Sequence, residues 1–168
     1  MNCVACNLPY QTQSRCTSCC QVLEIVLDAE PGSLLLVVDG SVNSTERKNI
    51  KQAGAGLVLA DAETEAVIAY CTPSFQAHNA CEAEYQAIVR GLRWAPVEVA
   101  WSDCKEAIEM ALSSSHPASW ISFELREPLH NFAHKLANAI RLLDYERLRR
   151  IWVPGEVWPE FGLQQAQK

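Results

Sequence analysis

The sequence predicts an α/β domain on a mixed five-stranded sheet, in the order β-β-β-α-β-α-β-α, behind a small cysteine-rich N-terminal module. Three observations predict it. Short apolar runs separated by turns fill the chain up to Cys71, and from Ala80 the apolar period changes from 2 to 3.6. A meander followed by strand–helix alternation implies a mixed sheet with helices on its faces. The third is that two C-x-x-C pairs crowd the first twenty residues, which are short of large apolar side chains. The boundaries expected are 1–30 for the module and its linker, 33–145 for the domain and 146–168 for a tail.

Each element has a local reason. Leu34-Leu35-Leu36-Val37-Val38 is an apolar run of the kind buried on both faces of a sheet, and Asp39-Gly40-Ser41 ends it. A polar loop over 42–52 leads to Gly54-Ala55-Gly56-Leu57-Val58-Leu59, a second strand whose glycines permit close backbone approach. A turn at 61–64 precedes a third strand at 66–71. Ala83, Ala87, Ile88, Gly91 and Leu92 share one face of a helix over 80–94, which Pro96 follows. A fourth strand at 97–101 leads to a helix from Asp103, with Ala107, Ile108, Ala111 and Leu112 inward. Residues 120–125 read as a fifth strand. A last helix over 128–143 buries Leu129, Ala133, Leu136, Ala137 and Ile140, with Pro128 in its first turn.

Composition narrows the function classes. The hydrophobic fraction is 49% and the charged fraction 20%, values of an ordinary globular protein. No apolar run approaches the ~20 residues that cross a bilayer, and MNCVACNLPY does not read as a secretory leader, so no membrane association and a cytosolic location are expected. The net charge of −6 argues against broad, non-specific attraction to phosphate.

Three carboxylates fall where strand ends and a helix face can bring them together: Asp39, Glu84 and Asp103. Neighbouring strands run about 5 Å apart, so Asp39 and Asp103 can share a cation if their strands adjoin. Phosphodiester hydrolysis uses such clusters to hold two divalent ions about 4 Å apart, and Mg²⁺ prefers carboxylate oxygen. Each residue also has an ordinary structural explanation. Asp39-Gly40 opens turns, Glu84 suits an exposed helix position, and Asp103 with Glu106 has capping-box spacing.

Four strings in sequence tip the balance. Val38-Asp39-Gly40-Ser41, Ala53 to Leu59, Ala83-Glu84-Tyr85-Gln86-Ala87-Ile88 and Ser102-Asp103-Cys104 resemble ribonuclease H of type I. Asn131-Phe132-Ala133-His134-Lys135-Leu136-Ala137 is similar to that family's closing helix, so the resemblance runs from about 34 to 143. It implies a ribonuclease H-like sheet and a metal-dependent endonuclease that cleaves the RNA strand of RNA–DNA hybrids, leaving a 5′-phosphate. Asp39 would bridge two Mg²⁺ (or Mn²⁺) ions, Glu84 and Asp103 would complete one site, and His134 would help hold the other. Many members carry Asp at that last position. The histidine resembles the reverse-transcriptase-like subgroup, and a neutral imidazole should weaken Mg²⁺ binding and favour Mn²⁺. His130, one turn earlier, reads as a residue of the helix start, with support of His134 as the alternative. The paired Asn often found before the helical Glu is missing, with only Asn79 nearby, and no basic insert lies between Leu112 and Trp120. These departures imply weaker or rearranged hybrid binding. The alternative is a ribonuclease H-like nucleic-acid-binding or protein-interaction module with weakened turnover.

Of the eight cysteines, Cys3, Cys6, Cys16 and Cys19 have the pairing of a Cys₄ structural Zn²⁺ knuckle. Cys20 can replace Cys19, and a redox dithiol pair or unligated cysteines are the competing readings. Arg15 is the only charge in this stretch, which suits a protein partner better than phosphate. In the tail, Arg147, Arg149 and Arg150 beside Trp152 can hold a single strand, but Asp144, Glu146, Glu156 and Glu160 dilute that signal. A tail packed on the domain or a second protein-binding segment is the stronger expectation.

Overall fold

A computed structural model of the chain describes residues 16–113, 119–120 and 127–151. The elements are α1 (Thr17–Asp28), β1 (Leu34–Val42), β2 (Lys51–Asp61), β3 (Val67–Cys71), β4 (Ser74–Ala77), α2 (Ala80–Trp94), β5 (Val99–Trp101), α3 (Lys105–Ser113), β6 (Ser119–Trp120), α4 (Glu127–Arg141) and α5 (Tyr145–Arg150). The sheet order is β3-β2-β1-β5-β6, with β4 also on β2. The meander pairs are antiparallel, whereas β1–β5 and β5–β6 are parallel, so the sheet is mixed as expected.

The break between β3 and β4 was not foreseen. β3 pairs with the second half of β2 and β4 with its first half, so the two form one interrupted edge strand. Pro73 sits in the gap without an N–H to donate, yet its carbonyl accepts from Ala55 N at 3.0 Å. Of the fifth strand expected at 120–125, Ser119–Trp120 pairs with β5; residues 121–126 lie outside the described ones.

Alternation along β1 builds two cores. Leu34, Leu36 and Val38 join a cluster with α1, α2 and α3, while Leu35 and Val37 join one with α4 and α5. The helix faces expected for α2 and α4 are buried as read, but Leu112 of α3 is exposed, about 100° around the helix from Ala111. Asn79 accepts from Glu82 N at 2.9 Å, so this lone Asn caps α2.

Two structural features bear on the expected boundaries. Part of the segment expected as module and linker is α1, whose Cys19 and Val22 are fully buried in the main core. Cys3 and Cys6 lie outside the described residues. The boundary at 145/146 cuts α5, where the Asp144 carboxylate accepts from Arg147 N and Leu148 is buried against the α4 side. The tail beyond Ile151, including Trp152 and Trp158, lies outside the described residues. Among the described residues, no helix is long and apolar enough to cross a membrane.

The parallel β1–β5 pairing sets the functional end of the sheet. Leu36 pairs with Ala100 and Val37 with Trp101, so Asp39 and Asp103 each lie two residues beyond the last pair, side by side. Asp39 has the parity of Leu35 and Val37 and therefore faces α4. Across the ladder it is opposite Gly56, where an added Cβ would overlap the carbonyl oxygen of Ala133 and lie 2.8 Å from its carbon. The α4 backbone lies directly on β2 here. Gly56→Ala is therefore expected to lose about 1–3 kcal/mol through overpacking. Thermal unfolding would read this as a drop of about 2–4 °C per kcal/mol, and an unchanged midpoint would contradict this packing.

Candidate metal centre

Asp39 lies within β1 and is only 2% exposed. Gly40 follows it because β1 runs against α2: a Cβ on Gly40 would overlap the carbonyl oxygen of Ala83 and lie 2.7 Å from Glu84 N. That close approach lets Gly40 N–H donate to Glu84 Oε1 at 2.8 Å. The Glu84 carboxyl lies against both Asp39 and Asp103, and its Oε2 is buried without a well-directed hydrogen bond. Ser102 stiffens the turn that carries Asp103, its Oγ accepting from Cys104 N at 3.2 Å.

The α4 helix supplies two imidazoles. His130 Nε2 lies between two carboxylates, 3.3 Å from Asp103 Oδ2 and 3.6 Å from Asp39 Oδ1, too poorly aligned for a directed bond to either. The buried Trp101 ring meets the His130 ring with centroids 5.0 Å apart and holds it in place. His134 Nδ1 lies 2.9 Å from Asp39 Oδ2, and its Nε2 lies 2.9 Å from Asn138 Nδ2. Asn138 Oδ1 in turn accepts from Ser41 Oγ at 3.0 Å.

The electrostatics follow from this crowding. Burial, then the charge of Asp39, raises the Glu84 carboxyl to about 9, against a counter-effect from Gly40 N–H. The close approach of the Asp103 carboxylate, then of Asp39, raises His130 to about 10, with burial opposing. Asp103 is lowered, chiefly by His130. Two protons thus sit among the carboxylates near neutral pH, one on Glu84 and one on His130.

The structure brings together Asp39, Glu84 and Asp103, and places His134 beside Asp39 with both ring nitrogens facing protein partners. His130 is a correction: the helix-start reading gives way to a place in the pocket, where Asp39, Asp103 and His130 each turn a ligand atom within 4.8 Å of the others. The signal was available as His130, His134 and Asn138 at i, i+4 and i+8, one face of a helix. Ser41, two residues from Asp39 on the same strand face, was readable the same way. Of the expected zinc ligands, Cys16 precedes α1 and is half-buried, as is Cys20, whereas Cys19 faces the core.

Residues 38–110 match a family model described as reverse transcriptase-like. The match begins in β1 and ends within α3, so it spans Asp39, Glu84 and Asp103. Among solved structures, the N-terminal RNase H domain of rv2228c from Mycobacterium tuberculosis, solved as a fusion with maltose-binding protein, is similar at 21% identity and TM-score 0.45, over 68% of this chain and 97% of that one. RNase H1 from the halophilic archaeon Halobacterium salinarum NRC-1 is similar at 20% identity and TM-score 0.38, over 76% and 82%. No curated protein matches the chain.

A carboxyl raised on folding keeps its proton in the native state while the unfolded chain ionises. Glu84 therefore costs nothing below its ordinary value of 4.5, and the cost grows as pH rises toward about 9. Gln keeps the acceptor for Gly40 N–H without that cost. Glu84→Gln is expected to stabilise the cation-free protein by on the order of 1–3 kcal/mol at neutral pH, with the gain shrinking toward pH 4. Urea unfolding across that range tests this; a variant less stable than the parent at pH 7 would contradict the shift.

Proposed function

We propose that the chain is a metal-dependent endonuclease that cleaves the RNA strand of RNA–DNA hybrids. One observation carries this reading. Carboxylates 45 and 64 residues beyond Asp39 in the chain meet it just past the β1–β5 pairing, which core packing alone does not require. The donor set fits divalent cations: the Glu84 Oε2 atom is buried without a directed partner, and the acidic side chains offer hard oxygen ligands. Asp39, Glu84 and Asp103 would hold Mg²⁺ or Mn²⁺.

When bound, such ions polarise the phosphodiester and lower the pKa of an attacking water in two-metal hydrolysis. The chain's own residues do the rest. Asp39 is held at Oδ2 by His134, which leaves Oδ1 toward Asp103 and His130. His130 Nε2 keeps a proton at the pocket that a leaving 3′-oxygen, a far stronger base, would take as the 5′-phosphate product forms. Trp101 holds that imidazole in place. Hybrid binding would depend on shape at this groove more than on charge, given the net −6.

The N-terminal cysteines belong to the same proposal as a structural Zn²⁺ knuckle of Cys3, Cys6 and Cys16. The burial of Cys19 among apolar side chains makes Cys20 a credible fourth ligand in its place. Such a knuckle would serve a protein partner, as would the tail. A second reading, a nucleic-acid-binding or protein-interaction module with weakened turnover, is favoured by one observation: both His134 nitrogens face protein partners.

A labelled RNA–DNA hybrid, incubated with Mg²⁺ and separately with Mn²⁺, separates the two readings. The endonuclease reading expects internal cuts in the RNA strand alone, with the rate falling at least 100-fold in Asp39→Asn. No cleavage above that variant in either metal would leave the binding module.

A further inference from the structure

We propose that Asn138 is a metal-selectivity residue: by donating to His134 Nε2 it keeps that imidazole from ligating a cation at Asp39. The inference rests on the reading that Asp39 holds a divalent ion. It begins with a hydrogen-bonded chain of four side chains. Ser41 Oγ donates to Asn138 Oδ1 at 3.0 Å, Asn138 Nδ2 faces His134 Nε2 at 2.9 Å, and His134 Nδ1 faces Asp39 Oδ2 at 2.9 Å.

Donor and acceptor chemistry fixes the direction of this chain. An ionised carboxylate only accepts, so the Asp39 contact requires a proton on His134 Nδ1. A neutral imidazole has one N–H, so the lone pair is on Nε2, the state in which a histidine ligates a metal. The amide nitrogen of Asn138 only donates, and Ser41 occupies the amide oxygen, which keeps the nitrogen turned to the ring. Asn138 therefore takes up the lone pair that Asp39 leaves on Nε2.

The consequence is chemical selectivity. Imidazole is a softer ligand than carboxylate and draws a site toward transition metals, whereas an all-oxygen site suits Mg²⁺. With His134 held as a donor to Asp39, cation ligation falls on Asp39 Oδ1, Glu84 and Asp103. Freeing Nε2 would add a nitrogen ligand one helical turn from His130. Asn138 is half-buried at an α4 position where Ala is helix-compatible, so Asn138→Ala removes the donor without straining the helix.

Two measurements on the full chain test this, and neither depends on cleavage. The first is long-range ¹⁵N imidazole NMR without added metal, above the ordinary imidazole range of about 6.5. It should show His134 protonated at Nδ1. Asn138→Asp, the same shape without a donor, should place a proton on Nε2. A wild-type Nε2–H form, or a ring unchanged in Asn138→Asp, would overturn the proposal. The second is pulsed EPR of bound Mn²⁺, which counts ligating nitrogens. His134→Asn should leave the wild-type nitrogen coupling unchanged, whereas Asn138→Ala should add one. Loss of a coupling in His134→Asn, or none gained in Asn138→Ala, would overturn it. Failure of Mn²⁺ to bind the pocket at all would remove the metal reading and this inference together. A bound ion with no hybrid cleavage would remove only the nuclease reading.

Discussion

Three carboxylates cannot stand ionised side by side in a half-buried pocket without a positive partner. At about 4 Å and an effective dielectric of 20, each like-charged pair costs on the order of 4 kcal/mol. Asp39 is nearly buried and the Glu84 carboxyl lies against it, so the pocket must take up positive charge from somewhere. In the cation-free protein it does so with protons: Glu84 keeps its own, and His130 keeps one between Asp103 and Asp39. The surroundings follow from that need. Trp101 supports the imidazole, Gly40 N–H gives Glu84 its one well-directed donor, and His134 orients the far oxygen of Asp39.

The backbone makes this crowding possible. β1 and β5 are parallel neighbours, so the residues just past their pairing emerge together at one end of the sheet. The α2 and α4 helices approach from opposite faces, each over a strand glycine whose missing Cβ allows backbone contact. Gly40 lets α2 bring Glu84 in, and Gly56, opposite Asp39, lets α4 bring in His130 and His134. The N-terminal α1 serves the core through Cys19 and Val22.

Much of this was legible in the residues, and the exceptions have physical reasons. Continuous apolar runs gave the central strands, and the 3.6 period gave α2 with its bounds as observed and α4 to within a turn. Helix α1 was missed because its inward positions, buried Cys19 and Val22 and half-buried Val26, are few and its cysteines drew a metal reading. The edge strand was split by Pro73, a break that period-two patterning does not reveal. At the site, the acidic residues stood out because charged groups at strand ends are conspicuous. His130 did not, since a histidine near a helix start has an ordinary explanation. Ser41 and Asn138 contribute only through their hydrogen-bond partners, and no single position signals that.

Protons and a divalent cation compete for the same oxygens. Calorimetric titration of Mn²⁺ into the full chain, in buffers of differing ionisation enthalpy, counts the protons released on binding. Because Glu84 is raised above neutral pH, binding should release its proton and tighten as pH rises from about 7 toward about 9. Glu84→Gln should release fewer. Binding with no proton release and an affinity flat across that range would contradict the account.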